Sequence, residues 1–419
     1  MKDEFAASVS RTTTTSPLLA RLVDDPQSKD RVVLGLEHCL EQPPDVLCGA
    51  RRMGLVLNQA SIDARGRYAC DLLAQRFPGR LVRLFSPQHG LWGEQQANMI
   101  ESPHGFYPPL ELPVWSLYGE TRRPNAEMLE GLDVLIVDLQ DVGTRVYTFA
   151  WTLLECLIAC AEHQVPLVVL DRPNPLGGRV VEGPRVLDGF RSFVGNAAIP
   201  LRHGLTLGEF AGWLNTRHQI NASLTVVPAR GWRRDDLWSD LHRAWTPPSP
   251  NMPRFETAVV YPGQVLLEGT NLSEGRGTTT PFEVCGAPFV DPFELARALS
   301  DSATIASSNI TVRPIRFVPT FDKWRGESCG GVALQAADAR KVRSVSFTVE
   351  LLRIVRQLYG NEFRWLPPPY EYEYLKPPID ILWGSPDLRT WVDAATKSPL
   401  PEEDSAAWWT ETNSALLYS

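Results

Sequence analysis

DVLIVDLQDVGTRVYT, residues 133–148, is a short apolar run that leads directly into a cluster of polar residues. A buried strand of a parallel sheet has such a nearly continuous apolar run, because helices cover both faces of the sheet. Residues 147–163, which follow, have the apolar spacing of a helix. The stretch therefore predicts a strand whose carboxyl end opens into a polar loop before a helix.

Similar apolar runs on either side of this stretch predict the rest of the sheet. Helical patterns separate them, and this alternation is typical of βαβ units with a parallel sheet. The predicted strands are GLVLN (54–58), LVRLF (81–85), LVVLD (167–171) and LTVV (224–227), and the predicted helices are 65–77, 147–163 and 207–217, the last with Thr206 as its N-cap. We expect an α/β fold with a Rossmann-like parallel sheet.

The C-terminal part has a different pattern, which predicts a smaller α+β domain. Helices are expected at residues 292–299 and 346–359, and short strands at 311–314 and 331–335. A chain of 419 residues exceeds the roughly 250–300 at which one core stops growing. We therefore expect a flexible leader at 1–30, a catalytic Rossmann-like domain at 31–235, and a C-terminal domain at 236–419 that contributes to the cleft. Residues 231–262, dense in Trp, Pro and Arg, are interpreted as an irregular loop lining that cleft.

Composition and charge exclude several classes of protein. Hydrophobic residues make up 43% and charged residues 21%, so a packed core is expected. The net charge of −8 and the lack of a basic stripe argue against nucleic-acid binding. No segment predicts a membrane span or a signal peptide, and the seven cysteines form no CxxC pair. We expect buried thiols and a cytoplasmic protein, with export not excluded and the oligomeric state unknown.

Three polar clusters directly follow predicted strands: SPQHGLWGE (86–94), DLQDVGTRVYT (138–148) and DRPNPLGG (171–178). The carboxyl ends of parallel strands form the ligand crevice of open sheets, so we expect the clusters to meet there. They offer carboxylates and amides for a neutral polar substrate at Asp138, Gln140, Asp141, Asp171 and Asn174. Arg145 and Arg172 could bind a carboxylate through two hydrogen bonds, or Arg172 could instead pair with an Asp to hold its own loop.

Later motifs add polar residues beside glycines. They are VVEGP (180–184), RHGLTLGE (202–209) and LLEGTNLSEGRGTTTPF (266–282). The last places Glu268, Asn271, Glu274 and Arg276 among glycines that let a backbone approach a ligand closely, or it forms a turn of satisfied polar groups. His89 and His203 lack a metal-binding spacing, and no phosphate-binding glycine motif or GxSxG is present. We expect neither a metal nor a cofactor.

From about residue 34 to the end, these motifs resemble in sequence and order the exo-β-N-acetylmuramidase (NamZ) family of peptidoglycan-processing glycosidases. The matching segments are SPQHG, SLYGETRRP (116–124), DLQDVGTRVYT, LDRPNP, VEGP, SFVG (192–195), PLRHGLTLGE, SPNMP (249–253) and EGTNLSEGRGTTTPF. The resemblance implies a Rossmann-like domain, a smaller C-terminal domain, and release of N-acetylmuramic acid from non-reducing ends of peptidoglycan fragments without a redox cofactor. The family commonly has the sequence PEHG, whereas this chain has Gln88. Two interpretations stay open: Glu94 replaces the missing carboxylate, or position 88 serves only in substrate binding.

Three functions remain open at this point: a glycosidase that uses two carboxylates, a non-catalytic muropeptide- or saccharide-binding protein, and a hydrolase or transferase for another small polar metabolite. For the glycosidase, the candidate catalytic residues are Glu94, Glu182 and Glu274, with Asp141 as a further candidate. Glu182 could instead order its loop, and Glu274 could pair with Arg276. The residues assigned to substrate binding are Gln88, His89, Asp138, Gln140, Arg145, Tyr147, Asp171, Arg172, Asn174, His203, Glu209, Asn251, Glu268, Asn271 and Arg276.

Overall fold

The apolar runs of the N-terminal half form strands of one sheet. A computed structural model describes residues 32–96, 100–394 and 405–419. Within these residues the strands of the sheet are β1 (Met53–Leu57), β2 (Leu81–Ser86), β3 (Gly105–Tyr107), β4 (Leu112–Ser116), β5 (Val134–Asp138), β6 (Leu167–Leu170) and β7 (Leu224–Val227). Their order is β3-β4-β2-β1-β5-β6-β7, and only the β3–β4 pair is antiparallel. β1 and β5 are buried along their whole length, which explains their unbroken apolar sequences.

Helices cover this sheet and connect its strands. They are α1 (Gly35–Glu41), α2 (Asp45–Gly49), α3 (Ala69–Arg76), α4 (Ala126–Leu129), α5 (Phe149–Glu162) and α6 (Leu207–Arg217). α6 begins at the predicted residue because Thr206 and Glu209 form a capping box. The Glu209 amide donates to Thr206 Oγ1 at 3.2 Å, and the Thr206 amide donates to Glu209 Oε2 at 3.1 Å. The predicted bounds of α6 and β7 are confirmed.

The C-terminal part contains the second, smaller sheet. Its elements are α7 (Phe255–Gln264), β8 (Val284–Ala287), α8 (Pro292–Ser300), α9 (Ala303–Ser307), β9 (Ile310–Phe317), β10 (Cys329–Ala336), α10 (Ser344–Leu358), α11 (Pro378–Trp383), α12 (Asp387–Asp393) and α13 (Ser405–Thr412). β10 lies between β8 and β9, antiparallel to both. Residues 32–419 pack as one compact unit. In the described part of the chain, no helix has the length and apolarity needed to cross a bilayer.

The structure differs from the sequence-based expectations at several elements. The helix expected at 65–77 begins at Ala69, because Asp63 Oδ1 accepts hydrogen bonds from the amides of Arg65 and Arg67 and forms a turn there. The region 231–262 is not irregular throughout: α7 begins within it and continues through Pro262. The short strands β3 and β4 were not expected. Six of the seven cysteines are buried, but Cys48 is exposed. The expected leader, 1–30, lies outside the described residues.

The sheet order fixes where its ligand crevice would lie. The chain leaves β1 toward β2 and β4 on one side, and later builds β5, β6 and β7 on the other side. The crevice of such a sheet is expected where the order reverses, between β1 and β5. Protein groups fill this place. Ser61 Oγ donates to the Asp138 carbonyl at the end of β5, and the Asp138 carboxylate pairs with Arg172 at 2.6 Å.

Candidate active site

A polar pocket lies where loops of the two sheets meet. The space between its walls is about 480 Å³, open solvent at its mouth included. Its walls come from the loop after β2, the start of α5, the residues before and within α7, the segment after α7, and the loop between α10 and α11. The polar residues that line it are Gln88, His89, Tyr147, Thr148, Ser249, Asn251, Tyr261, Glu268, Arg276, Tyr370 and Glu371.

Glu371 is a buried carboxyl group in the wall of this pocket. Its side chain is 4% exposed, and Tyr118, in the loop after β4, donates a hydrogen bond from its hydroxyl to Glu371 Oε2 at 3.0 Å. Burial, with a further contribution from the nearby negative charge of Glu268, raises the pKa of Glu371 to about 7. Glu371 can therefore carry a proton at neutral pH.

Glu268, the second carboxylate of the pocket, belongs to a buried network of charges. It pairs with Arg276, and Tyr370 donates its hydroxyl to Glu268 Oε2 at 2.7 Å. Burial raises the pKa of Glu268, while the positive charge of Arg276 acts against this rise. The guanidinium of Arg276 stays charged at any accessible pH, and its positive charge favours the ionised form of Glu268 against the effect of burial.

Glu274 lies behind Arg276. Arg276 Nε is 3.3 Å from Glu274 Oε1, and Lys323 Nζ is 2.9 Å from Glu274 Oε2. Burial alone would raise the pKa of Glu274, but the two cations hold it below its ordinary value. Lys323 also donates to the carbonyls of Leu267 and Leu272 at 2.8 and 3.0 Å, which fixes the segment that carries Glu268. Glu274 is therefore the counter-ion that orients Arg276.

The loop after β2 brings an amide and an imidazole to the pocket. Thr148 donates its hydroxyl to Gln88 Oε1 at 2.6 Å. His89 Nδ1 is 2.6 Å from the Gln95 carbonyl, which can only accept, so Nδ1 carries the proton. Burial lowers the pKa of His89 to about 4, so the ring is neutral. Asn251 Nδ2 donates to the Gln96 carbonyl at 2.8 Å and ties this loop to the segment before α7.

Several residues expected to bind substrate at the strand ends are buried in contacts with the protein, and they do not line this pocket. Arg145 donates to the carbonyls of Pro184, Ile199, Leu382 and Trp383. Arg172 pairs with Asp138, which was the alternative considered for it. The Asp171 carboxylate accepts hydrogen bonds from the hydroxyls of Thr206 and Tyr418 and from the Gly208 amide. The Asn174 side chain donates to the Leu205 carbonyl and accepts from the Leu176 amide. The Gln140 side chain donates to the carbonyls of Asp141 and Pro173.

The remaining candidates also lie away from the pocket lining. Glu94 is exposed. Glu182 pairs with Arg202 at 3.2 Å in a buried contact and accepts from the Val345 amide at 3.3 Å. The Asp141 carboxylate accepts a hydrogen bond from the Gly143 amide at 2.6 Å and lies 3.6 Å from His203 Nε2. Glu209 forms an ion pair with Arg234 at 2.6 Å. Asn271 bonds the backbone of Glu362 and Arg364. Gln88, His89, Tyr147, Asn251, Glu268 and Arg276 are the sequence candidates that the pocket brings together.

The glycines of the segment after α7 approach protein rather than open space. A Cβ at Gly269 would come within 2.7 Å of the Ile379 backbone, and one at Gly275, where φ is +81°, within 2.7 Å of the Val284 carbonyl oxygen. These glycines let the segment pack against α11 and β8. The close packing holds Glu268 and Arg276 at fixed positions in the pocket wall.

Sequence reasoning missed Glu371 and its neighbours Tyr370 and Tyr118. They were missed because the search followed the strand ends of the parallel sheet, whereas Glu371 and Tyr370 lie between α10 and α11. The available signal was the alternation of acids and aromatics in PYEYEY, residues 369–374, which is bounded by prolines. In the described residues, no three His, Cys, Asp or Glu side chains are grouped so that they could hold a metal ion.

Comparisons with known proteins agree with this architecture. Residues 53–256 match the family model of the N-terminal part of exo-β-N-acetylmuramidase NamZ, and residues 259–418 match the model of its C-terminal part. The two models meet between residues 256 and 259, later in the chain than the division expected at 235/236, which stays a prediction. The chain is 40% identical over 343 residues to peptidoglycan β-N-acetylmuramidase NamZ of Bacillus subtilis, covering 81% of this chain and 80% of that protein.

Two crystal structures of DUF1343 family proteins from Bacteroides fragilis have the same fold. One superposes with a TM-score of 0.80 at 29% identity, covering 93% of this chain and 100% of that one. The other has a TM-score of 0.69 at 25% identity, covering 93% and 99%. Since the two family models together span most of the sequence, the chain belongs to the NamZ family of exo-β-N-acetylmuramidases.

Proposed function

We propose that this protein is a glycosidase that releases N-acetylmuramic acid from the non-reducing ends of peptidoglycan fragments. The observation that carries the proposal is the pair of carboxyl groups in one pocket, Glu371 with a pKa raised to about 7 and Glu268 paired with a guanidinium. Glycosidases commonly need one carboxylic acid and one carboxylate. The relative in B. subtilis is a peptidoglycan β-N-acetylmuramidase, which favours this function over a non-catalytic binding protein.

Glu371 serves as the general acid. A leaving sugar oxygen needs a proton as the glycosidic bond breaks, and an acid with a pKa near the working pH supplies it most effectively. The burial of Glu371 keeps the proton on the carboxyl group, and the hydrogen bond from Tyr118 fixes the position of its Oε2. Glu371 thus takes a role for which the sequence offered Glu94, Glu182, Glu274 and Asp141 as candidates, without deciding among them.

Glu268 supplies the negative charge for the oxocarbenium-like transition state, as a nucleophile or as the base that activates water. Tyr370 and Arg276 hold its carboxylate in place. Glu274, a catalytic candidate from the sequence, acts through Arg276 and is a positioning residue. Gln88 and His89 present neutral donors and acceptors to the sugar, and His89 stays neutral because its pKa is lowered to about 4.

The test is hydrolysis of the disaccharide N-acetylmuramyl-β-1,4-N-acetylglucosamine, with the reversed disaccharide as the substrate control. We expect release of free N-acetylmuramic acid from the first compound only. Glu371→Gln should lower kcat by roughly 10²–10⁴-fold, because the amide cannot donate the proton. Glu373→Gln is the matched control: Glu373 lies two residues away and pairs with Lys376 outside the pocket lining. No release by the wild type, or normal turnover by Glu371→Gln, would overturn the proposal.

The cytoplasmic location expected from the sequence stays a prediction, which cell fractionation would check. A site of action there would correspond to the recycling of imported muropeptides. The oligomeric state is likewise open to measurement by light scattering.

A further inference from the structure

Arg122, in the loop between β4 and α4, contacts the faces of two aromatic rings beside the pocket. Its guanidinium carbon lies 4.2 Å from the ring centre of Tyr118 and 4.4 Å from that of Tyr372. Cation–π contacts with two rings restrict the position of a guanidinium and leave its N–H groups for hydrogen bonds. Tyr118 donates to Glu371, and Tyr372 follows Glu371 in the chain, so Arg122 lies one side chain away from the proposed acid.

The hydrogen bonds of Arg122 are incomplete. Nη1 donates to the Gly119 carbonyl at 2.6 Å, whereas Nε and Nη2 are buried and have no hydrogen-bond partner among the described residues. The Glu101 carboxylate is 4.0 Å from Nη2, beyond hydrogen-bond distance, and the side chain of Glu101 is 55% exposed. A buried guanidinium N–H without an acceptor is costly, so this arrangement needs an explanation.

Nε and Nη2 lie on the same edge of the guanidinium, and that edge matches the two oxygens of a carboxylate. The other arginines considered for this role are occupied: Arg145 by backbone carbonyls and Arg172 by Asp138. Arg276, in the pocket wall, is already paired with Glu268 and Glu274. Arg122 is the cation near the pocket whose bidentate edge is left without an acceptor in the described part of the chain.

We propose that Arg122 recognises a carboxylate of the substrate through Nε and Nη2. The inference rests on the proposed function, in which the sugar carries a lactyl carboxylate that N-acetylglucosamine lacks. Arg122 would then set the preference for the muramyl sugar over the glucosaminyl sugar, because a neutral hydroxyl in that place would leave the buried N–H groups without a charged acceptor.

Carboxylate binding at Arg122 would also affect the proposed acid. The groups that face Glu371 are Tyr118, Glu268, Tyr370, Tyr372, Arg122 and Arg276. Among them, Arg122 and Arg276 act to lower the pKa of Glu371. A substrate carboxylate would neutralise Arg122 and reduce this lowering, so the proton would stay on Glu371 when the muramyl sugar is bound.

The experiment compares kcat/KM for a chromogenic β-N-acetylmuramide with that for the same compound whose lactyl carboxylate is converted to an amide. The enzymes are the wild type, Arg122→Met, Arg122→Lys and the control Arg123→Met. Arg123 pairs with Glu155 and Glu162 and is not part of this arrangement. Arg122→Met should lower kcat/KM about 10²-fold for the acid and leave the amide nearly unchanged. For the acid substrate, the kcat/KM of Arg122→Lys should lie between the values of the wild type and Arg122→Met, because Lys keeps the positive charge but lacks the planar guanidinium.

A pH profile on N-acetylmuramyl-β-1,4-N-acetylglucosamine with its lactyl carboxylate converted to an amide gives a readout that a purely structural role would not change, because the basic leaving oxygen of this disaccharide needs the proton of Glu371. In Arg122→Met the fall of kcat/KM at high pH should move to higher pH, because a cation that lowers the pKa of Glu371 has been removed. An equal loss on both substrates, or no loss on either, would overturn the role of Arg122 while the proposed function stands.

If the wild type hydrolyses neither compound, a binding measurement still distinguishes carboxylate recognition by Arg122 from the proposed glycosidase function. That result overturns the proposed function, and calorimetric titration with free N-acetylmuramic acid and N-acetylglucosamine then tests Arg122 by itself. Tighter binding of the acid that disappears in Arg122→Met supports carboxylate recognition. Equal binding of both sugars by the wild type, or binding unchanged in the variant, contradicts it.

Discussion

At the scale of single residues, Glu371 has two energetically unfavourable features, for which contacts elsewhere in the fold compensate. Its carboxyl group is buried, and its backbone adopts a left-handed conformation, with φ of 43° followed by 67° at Tyr372. A non-glycine residue in this region costs on the order of 1–3 kcal/mol and is found most often at functional sites. The conformation directs the side chain into the pocket wall, where contacts with Tyr118 hold it.

The pH dependence of hydrolysis follows from the pKa of Glu371. Because burial raises this pKa to about 7, the protonated form is present below that value and is lost as the pH rises through it. We therefore expect kcat/KM of the wild type to fall above about pH 7. A pH profile on an uncharged substrate analogue measures this. A fall that is already complete near pH 5, about one unit above the ordinary pKa of a Glu, would contradict the assignment.

At the scale of elements, the sequence predicts the parallel sheet well and its surroundings less well. β1, β5 and β6 could be predicted because a strand with helices on both faces of its sheet is apolar throughout. α6 could be predicted because Thr206 is a recognisable N-cap. β3 and β4 were not predicted because both strands are short and partly exposed, so their apolar pattern is weak. α7 was hidden by Pro262, which usually ends a helix but here lies in its last turn.

The site could be predicted only in part, for a physical reason. Gln88 and His89 follow a strand of the parallel sheet, so the rule about strand ends finds them. Glu268 and Arg276 were found through their glycine-rich motif. Glu371 becomes a candidate acid only through burial against distant segments, and no local pattern encodes that burial.

Arg145 is the opposite case. The sequence predicts that it binds substrate, whereas in the structure it donates hydrogen bonds to the backbone of neighbouring segments. Its guanidinium joins the loops at Pro184 and Ile199 to the end of α11 at Leu382 and Trp383. Arg145→Met would leave four buried carbonyls without this donor, and we expect it to lower the free energy of unfolding by about 3 kcal/mol or more. Chemical denaturation measures this, with the partly exposed Arg123→Met as the control. Unchanged stability with a loss of substrate binding would favour the original assignment.

At the scale of the whole molecule, the chain closes its own sheet crevice and places the pocket elsewhere. Tyr418 donates its hydroxyl to Asp171 Oδ2 at 2.6 Å at the end of β6, and the Ala229 amide donates to the same hydroxyl at 2.9 Å. The C-terminal residues thus cover the end of β6, while Ser61 and the Asp138–Arg172 pair fill the expected crevice between β1 and β5. The pocket forms instead between the loop after β2 and segments of the C-terminal part.

Tyr418→Phe tests whether this contact is structural. Removing the hydroxyl takes a hydrogen bond from the buried Asp171 carboxylate, and we expect a loss of about 1–2 kcal/mol in the free energy of unfolding. Because Tyr418 does not line the pocket, kcat/KM should stay at the wild-type value at a temperature where the variant is folded. A strong loss of kcat/KM in the folded variant would show that the strand-end crevice takes part in the reaction.

The dependence of the Glu371→Gln defect on the leaving group tests the central claim most directly. Loss of a general acid matters most when the departing oxygen is basic, as in a disaccharide, and little when it is acidic, as in a 4-nitrophenyl muramide. The account predicts a defect of roughly 10²–10⁴-fold on N-acetylmuramyl-β-1,4-N-acetylglucosamine and a much smaller one on the 4-nitrophenyl compound. Equal defects on the two substrates would contradict the assignment of Glu371 as the proton donor.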